Sequence, residues 1–278
     1  MLDKGDSVGL CACSNSLTKD SADTIHELEY SLYDVGLNAE SDESLYQQEG
    51  AKDKADRLNR LFANPQIKAI FDVSGGDAAN EVLPYLDYDL IEESSKFFYG
   101  YSDLTTVINA IYTKCDKVSC LYNVRNLAYE HKERQMADFE MTVIGGEDDL
   151  YKIDYEFVQG EKMKGVVIGG NVRCFLKLSG TDYMPSFKHK ILFLEGNSGN
   201  AVRIRSYFNH LAQMGAFKEV SGVLLGTFVE LEKEGAERAS DILLSVCNDK
   251  NLPIAVTEDI GHRADSKAIY IGKEIELT

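Results

Sequence analysis

Two residues of this chain have the types and settings that acyl-transfer chemistry uses. Glu195 closes the apolar run Ile191-Leu192-Phe193-Leu194 and leads into Gly196-Asn197-Ser198-Gly199, while His262 follows Gly261 in a polar turn. A hydrolase working through a hydroxyl needs that hydroxyl, an imidazole to take its proton, and a carboxylate that fixes the imidazole's tautomer and stabilises its charged form. The carboxylate and the imidazole are at hand. The hydroxyl is sought at a sharp strand-to-helix turn, where a tight bend exposes one side chain and nearby amides can stabilise an oxyanion. The run Ala69 to Val73, the pair Gly75-Gly76 and the segment Glu81-Val82-Leu83 read as such a turn, and the side chain it would project is Ala79. Taken alone, a glutamate at a strand end is more often solvated, and a lone turn histidine more often a surface residue.

The elements that must position these groups follow from periodicity. Val8 to Cys13 and Ile67 to Val73 read as strands, Lys54 to Phe62 as an amphipathic helix with Ala55, Leu58, Leu61 and Phe62 on one face, and Leu104 to Tyr112 as a further helix. This alternation predicts a parallel sheet flanked by helices, with sites at the carboxyl ends of its strands. A polar, acidic stretch from about 145 to 165 interrupts the pattern and places a domain boundary there, giving an N-terminal α/β domain over 1–158 and a second domain over 159–278. Val166-Val167-Ile168, Ile191 to Leu194 and Val223-Leu224-Leu225 supply strands to the second, with a helix from Ala201 to Met214 whose Ile204, Tyr207, Phe208 and Leu211 read as core.

Composition bounds the partners. A chain of 278 residues with net charge −17 repels phosphate backbones and anionic lipid, so nucleic acid and membrane surfaces are not expected partners. Asp3, Lys4 and Asp6 stand where a signal peptide would need an apolar core, and the expected location is the cytoplasm. The six cysteines lack Cys-x-x-Cys spacing, so neither a zinc site nor a redox motif is expected, and they read as buried reduced thiols. Cys11 and Cys13, either side of Ala12, are expected to face opposite ways. No metal or cofactor is expected.

The opening Leu2-Asp3-Lys4-Gly5-Asp6, the turn Gly75-Gly76-Asp77-Ala78-Ala79-Asn80 with Leu83-Pro84, the segment Gly100-Tyr101-Ser102-Asp103-Leu104-Thr105, the triplet Gly169-Gly170-Asn171, the strand ending at Glu195 and the turn Ile260-Gly261-His262 occur in one order. Together they resemble the serine LD-carboxypeptidases, the family of muramoyltetrapeptide carboxypeptidases and microcin-immunity peptidases. The stretch Leu83 to Asp89 leans toward the latter branch. The chain departs from the family's pattern at Arg263-Ala264-Asp265, after the histidine, and at Leu121-Tyr122-Asn123, where a His-Gly-Pro segment is usual.

The resemblance implies a Rossmann-like N-terminal domain with a smaller β-rich C-terminal domain, a homodimer, and a small peptide or muropeptide ligand. It implies cleavage of an L,D-peptide bond next to a terminal carboxylate, with position 79 attacking, His262 as base and then acid, Glu195 orienting it, and amides near Gly76 and Asn80 forming the oxyanion hole. With Ala79 at the attacking position the chain is expected to be inactive unless Ser74, Ser14 or Ser16 substitutes. The alternative is a non-catalytic binding protein that keeps the cleft for a muropeptide or related acyl ligand.

Overall fold

The computed structural model describes residues 1–278, the side chain of Lys19 excepted. Strands β1 (Ser7–Cys11), β2 (Asn38–Glu40), β3 (Ile67–Asp72), β4 (Phe97–Gly100) and β5 (Ser119–Leu121) come first in the chain. They are followed by β6 (Glu156–Gln159), β7 (Met163–Asn171), β8 (Lys190–Gly196), β9 (Gly222–Phe228), β10 (Ile254–Val256), β11 (Ile269–Ile271) and β12 (Glu274–Leu277). One sheet has the order β11-β5-β4-β3-β1-β2 and the other β12-β7-β8-β9-β10-β6. Within the first, only β11 runs antiparallel to its neighbour. In the second, β7 to β10 are parallel and the edges β12 and β6 are antiparallel. This is a two-domain α/β fold. The boundary read at 158/159 falls inside β6, which belongs to the second sheet, and the chain returns to the first sheet at β11 before ending in the second.

Parallel strands covered on both faces need unbroken apolar runs rather than alternation. Ile191, Leu192, Phe193 and Leu194 of β8 meet that need, all at 0% exposure. The helix Ala51–Ala63 buries Ala55, Leu58 and Phe62. Helix Thr105–Cys115 is different, because every residue from Thr105 to Ile111 is buried. A helix buried on all sides has structure packed all round it.

That structure includes the second sheet. Asn109 donates from Nδ2 to the Gly169 carbonyl at 2.8 Å and accepts the Gly169 amide at 3.0 Å. Thr105 Oγ1 accepts the Asn171 amide at 3.0 Å. Gly170, at φ +133°, has no Cβ that would stand 2.6 Å from Thr105 Oγ1. The triplet Gly169-Gly170-Asn171 is thus the seam along which β7 approaches the helix that follows β4.

Two expectations change. The glycine pair after β3 does not lead straight into an α-helix: Ala79–Tyr85 is a 3₁₀ helix with Pro84 inside it, a residue that removes an amide donor and disfavours α-helix, and the short α-helix Tyr88–Glu93 comes only after it. Nor do Cys11 and Cys13 face opposite ways. Residues two apart along an extended chain share a face, and the two thiols and the Asp72 carboxylate lie within 4.8 Å of one another. Asp72 accepts the Cys13 amide at 2.7 Å, and the Ser74 amide and hydroxyl at 2.8 and 2.6 Å. The carboxylate is thereby tied to the ends of both strands.

Candidate active site

The sharp strand-to-helix turn lies one strand further along than the glycine pair suggests. β4 ends at Gly100, Tyr101 is extended, and the chain then reverses at Ser102 into a 3₁₀ turn and the helix Thr105–Cys115. Ser102 has φ 53°, a left-handed conformation that non-glycine residues rarely adopt and that is often held at functional sites. A Cβ on Gly100 would stand 2.7 Å from Leu104 Cβ, so the bend needs glycine two residues before the serine.

The second domain brings the other two groups to this bend. Glu195 near the end of β8 is fully buried, and its Oε2 lies 2.6 Å from His262 Nδ1. His262 Nε2 lies 3.1 Å from Ser102 Oγ. With a carboxylate facing Nδ1, that nitrogen carries the hydrogen, and the Nε2 lone pair is left to accept from the serine hydroxyl. The Tyr101 hydroxyl donates to the Gly261 carbonyl, and the Tyr101 and His262 ring centroids are 4.5 Å apart. Burial first, then the Glu195 charge, hold the Tyr101 phenol well above its ordinary value, so it stays a neutral donor.

Asp103, beside the serine, is a hub at 0% exposure. Its Oδ1 accepts from Lys177 at 2.5 Å, and its Oδ2 from Ser14 Oγ at 2.7 Å and the Ala79 amide at 2.8 Å. Burial alone would raise its pKa, but the Lys177 hydrogen bond, the Ala79 amide and Ser14 together outweigh it and hold the carboxyl below its ordinary range. The glycine-pair loop is clasped from the second domain. Arg173 donates from Nη2 to the Gly76 carbonyl at 3.0 Å and pairs with Asp77, and Lys177 donates to the Asp77 carbonyl at 2.8 Å. Gly76, at φ +135°, has no room for a Cβ against the Asn15 amide. The Asp103 and Gly76 amides donate to no other group among the described residues.

Glu195 and His262 therefore meet as expected from their motifs, and Ala79 is corrected. The nitrogen of His262 that was to face position 79 faces Ser102 instead, and Ala79 is fully buried with its amide given to Asp103. The suggested substitutes are engaged elsewhere: Ser14 with Asp103, Ser74 with Asp72, and Ser16 with the Gln47 carbonyl. No hydrogen bond joins Asn80 to the Ser102–His262 pair among the described residues. Sequence reasoning missed Ser102, although a signal was present. Gly100-Tyr101-Ser102, between an apolar strand and a helix, carries the first half of the Gly-x-Ser-x-Gly elbow, with Leu104 in place of the second glycine.

Residues 8–122 match the LD-carboxypeptidase N-terminal domain and residues 164–277 the LD-carboxypeptidase C-terminal domain. The chain belongs to the LD-carboxypeptidase family. It is 26% identical over 260 residues to the microcin C7 self-immunity protein MccF of Escherichia coli, covering 81% of this chain and 75% of that protein. It is 25% identical over 294 residues to the probable murein peptide carboxypeptidase of Bacillus subtilis strain 168, covering 99% and 90%. Among solved structures, MccF in complex with aspartyl sulfamoyl adenosine superposes with a TM-score of 0.89 at 23% identity, over 99% of this chain and 93% of that one. This family member thus shares the MccF fold.

Proposed function

We propose that this chain is a catalytically competent serine peptidase of LD-carboxypeptidase type, with Ser102 as nucleophile, His262 as general base and then acid, and Glu195 orienting the ring. The hydrogen-bonded line from Ser102 Oγ through His262 to Glu195 carries this reading. Ser102 Oγ attacks the scissile carbonyl while Nε2 takes its proton. The tetrahedral oxyanion is received by the Asp103 and Gly76 amides, each such donor being worth about 10²- to 10³-fold in rate. Collapse expels the amine, protonated from Nε2, and leaves an acyl-enzyme on Ser102. Water, deprotonated by His262, releases the acid and regenerates the serine.

The substrate in this reading is a small peptide, a muropeptide or a related acyl or peptidyl conjugate cut beside a terminal carboxylate, a reading in keeping with the name of the murein peptide carboxypeptidase relative. Among the described residues, no helix is long and apolar enough to cross a membrane. The family resemblance further implies a cytoplasmic homodimer. Ser102 within hydrogen-bond reach of His262 favours this reading over the alternative of a non-catalytic binding protein.

The test is release of the terminal D-amino acid from a muramoyl tetrapeptide. Turnover that falls by at least about 10⁴-fold in both Ser102→Ala and His262→Ala supports the proposal. An inert wild-type chain that still binds the peptide would favour the binding protein.

A further inference from the structure

Among the described residues, Arg125 has no carboxylate within ion-pairing distance. The chain carries a net charge of −17, and Arg57, Arg173, Arg205 and Arg263 each sit within 4.0 Å of a carboxylate. Arg60 and Arg203 have no such partner but are exposed, where water serves them. Arg125 is half-buried, its Nε is buried without a hydrogen-bond partner, and no described hydrogen bond or ion pair engages its guanidinium. The centroid of the Tyr129 ring lies 6.0 Å from its guanidinium carbon. A partly desolvated cation left unpaired is costly, and such a group is held where something else will pair with it.

Its place in the fold says what. Arg125 lies in the turn Val124–Ala128 that follows β5, at the carboxyl end of the strand next to β4. On one side the Tyr122 amide donates to the Gly100 carbonyl at 2.9 Å, two residues before Ser102. On the other side Asn126 Nδ2 donates to the Ser266 carbonyl at 3.3 Å, holding the turn against the loop that carries His262. The turn is thus pinned to both halves of the Ser102–His262 pair. The Arg125 charge also offsets part of the rise in the Tyr101 phenol, whose ring packs on His262. The carboxylates at the site are already committed, Glu195 to His262 and Asp103 to Lys177.

We propose that Arg125 is the specificity-determining residue that receives the substrate's terminal carboxylate, pairing its planar fork with the two carboxylate oxygens beside the scissile bond. The assignment rests on the serine-peptidase reading above. A guanidinium presents parallel donors that match a carboxylate in a way a lysine ammonium does not. An anionic substrate approaching a strongly acidic protein needs such a fixed cation to be retained.

Binding can be measured apart from turnover, using the full chain with Ser102→Ala and two muramoyl tetrapeptides, one ending in a free carboxylate and the other in a carboxamide. Titration calorimetry is expected to show the acid bound roughly a hundredfold more tightly than the amide. Adding Arg125→Met should bring the acid down to the level of the amide and leave the amide unchanged. Arg125→Lys, which keeps the charge and the stem, should lose roughly tenfold on the acid and serves if the methionine variant does not fold. An acid preference that survives loss of the guanidinium, or no acid preference in the parent, overturns the proposal. Failure of the serine-peptidase reading looks different: acid-selective binding that depends on Arg125, with no turnover by the chain that retains Ser102.

Discussion

Ser102 Oγ and His262 Nε2 lie 3.1 Å apart although 160 residues separate them in the chain, and the two belong to different domains. The packing of β7 against the helix after β4, and the return of the chain from β10 to β11 in the first sheet, bring them together. The seam that does this is the contact between Gly169-Gly170-Asn171 and the helix Thr105–Cys115, which begins three residues after the serine.

Gly170→Ala should therefore damage stability and activity together. The new methyl would stand 2.6 Å from Thr105 Oγ1, on a residue held at φ +133°. A loss of about 2–4 kcal/mol is expected in urea unfolding, the scale of overpacking added to backbone strain. The same substitution at Gly180, where nothing lies within 4 Å, should cost only the strain of its positive φ. Equal losses at both positions would show that the seam is not tightly packed.

Asp103 makes stability depend on pH in the acid range. Its carboxyl is held below its ordinary value of 3.8, so the folded state binds the proton less readily than the unfolded chain. The contribution is complete above that ordinary value and is lost as the pH falls through the lower folded-state value. Asp103→Asn breaks the pairing of a buried carboxylate with half-buried Lys177 and should lower stability at pH 7 by about 3 kcal/mol, with a shallower dependence of Tm on pH between about 2 and 5. Superimposable pH profiles for the two proteins would show that Asp103 is not a determinant.

The thiols at the end of β1 should be unreactive in the native state. Cys13 is pushed up to about 11, burial and the Asp72 charge outweighing the hydrogen bond with Cys11 that would lower it. Cys11 is raised well above its ordinary value by its hydrogen bond with Cys13 and by burial. Iodoacetamide at pH 8 should leave both unmodified until denaturant is added, as judged by peptide mapping. Alkylation of either in the folded protein would contradict this.

Much of the fold was legible because its signals are local. The apolar run of β8 and the buried face of the helix Ala51–Ala63 are periodic patterns, and Glu195 and His262 stood at the ends of motifs. What was not legible depended on context. Gly75-Gly76 announces a tight turn in any sequence, whereas the mark of Ser102 is the shorter Gly100-Tyr101-Ser102 between strand and helix, and its left-handed bend shows only once β4 and the helix after it are packed. Arg125 carries no mark in the sequence, and its buried Nε without a hydrogen-bond partner is seen only in the structure. That Cys11 and Cys13 share a face was within reach of the strand period, against the opposite faces expected of them.

The most direct measurement of the central claim is the site of acylation. Wild-type protein mixed with a muramoyl tetrapeptide, quenched in acid within milliseconds and mapped by mass spectrometry, should carry the acyl group on the peptide containing Ser102. Ser102→Ala should carry none. Ala79→Ser, which adds a polar atom to a fully buried site, should gain no second adduct and turn over no faster than wild type. An acyl group on Ser14 or Ser74, or turnover that appears only when serine is placed at position 79, would contradict the account.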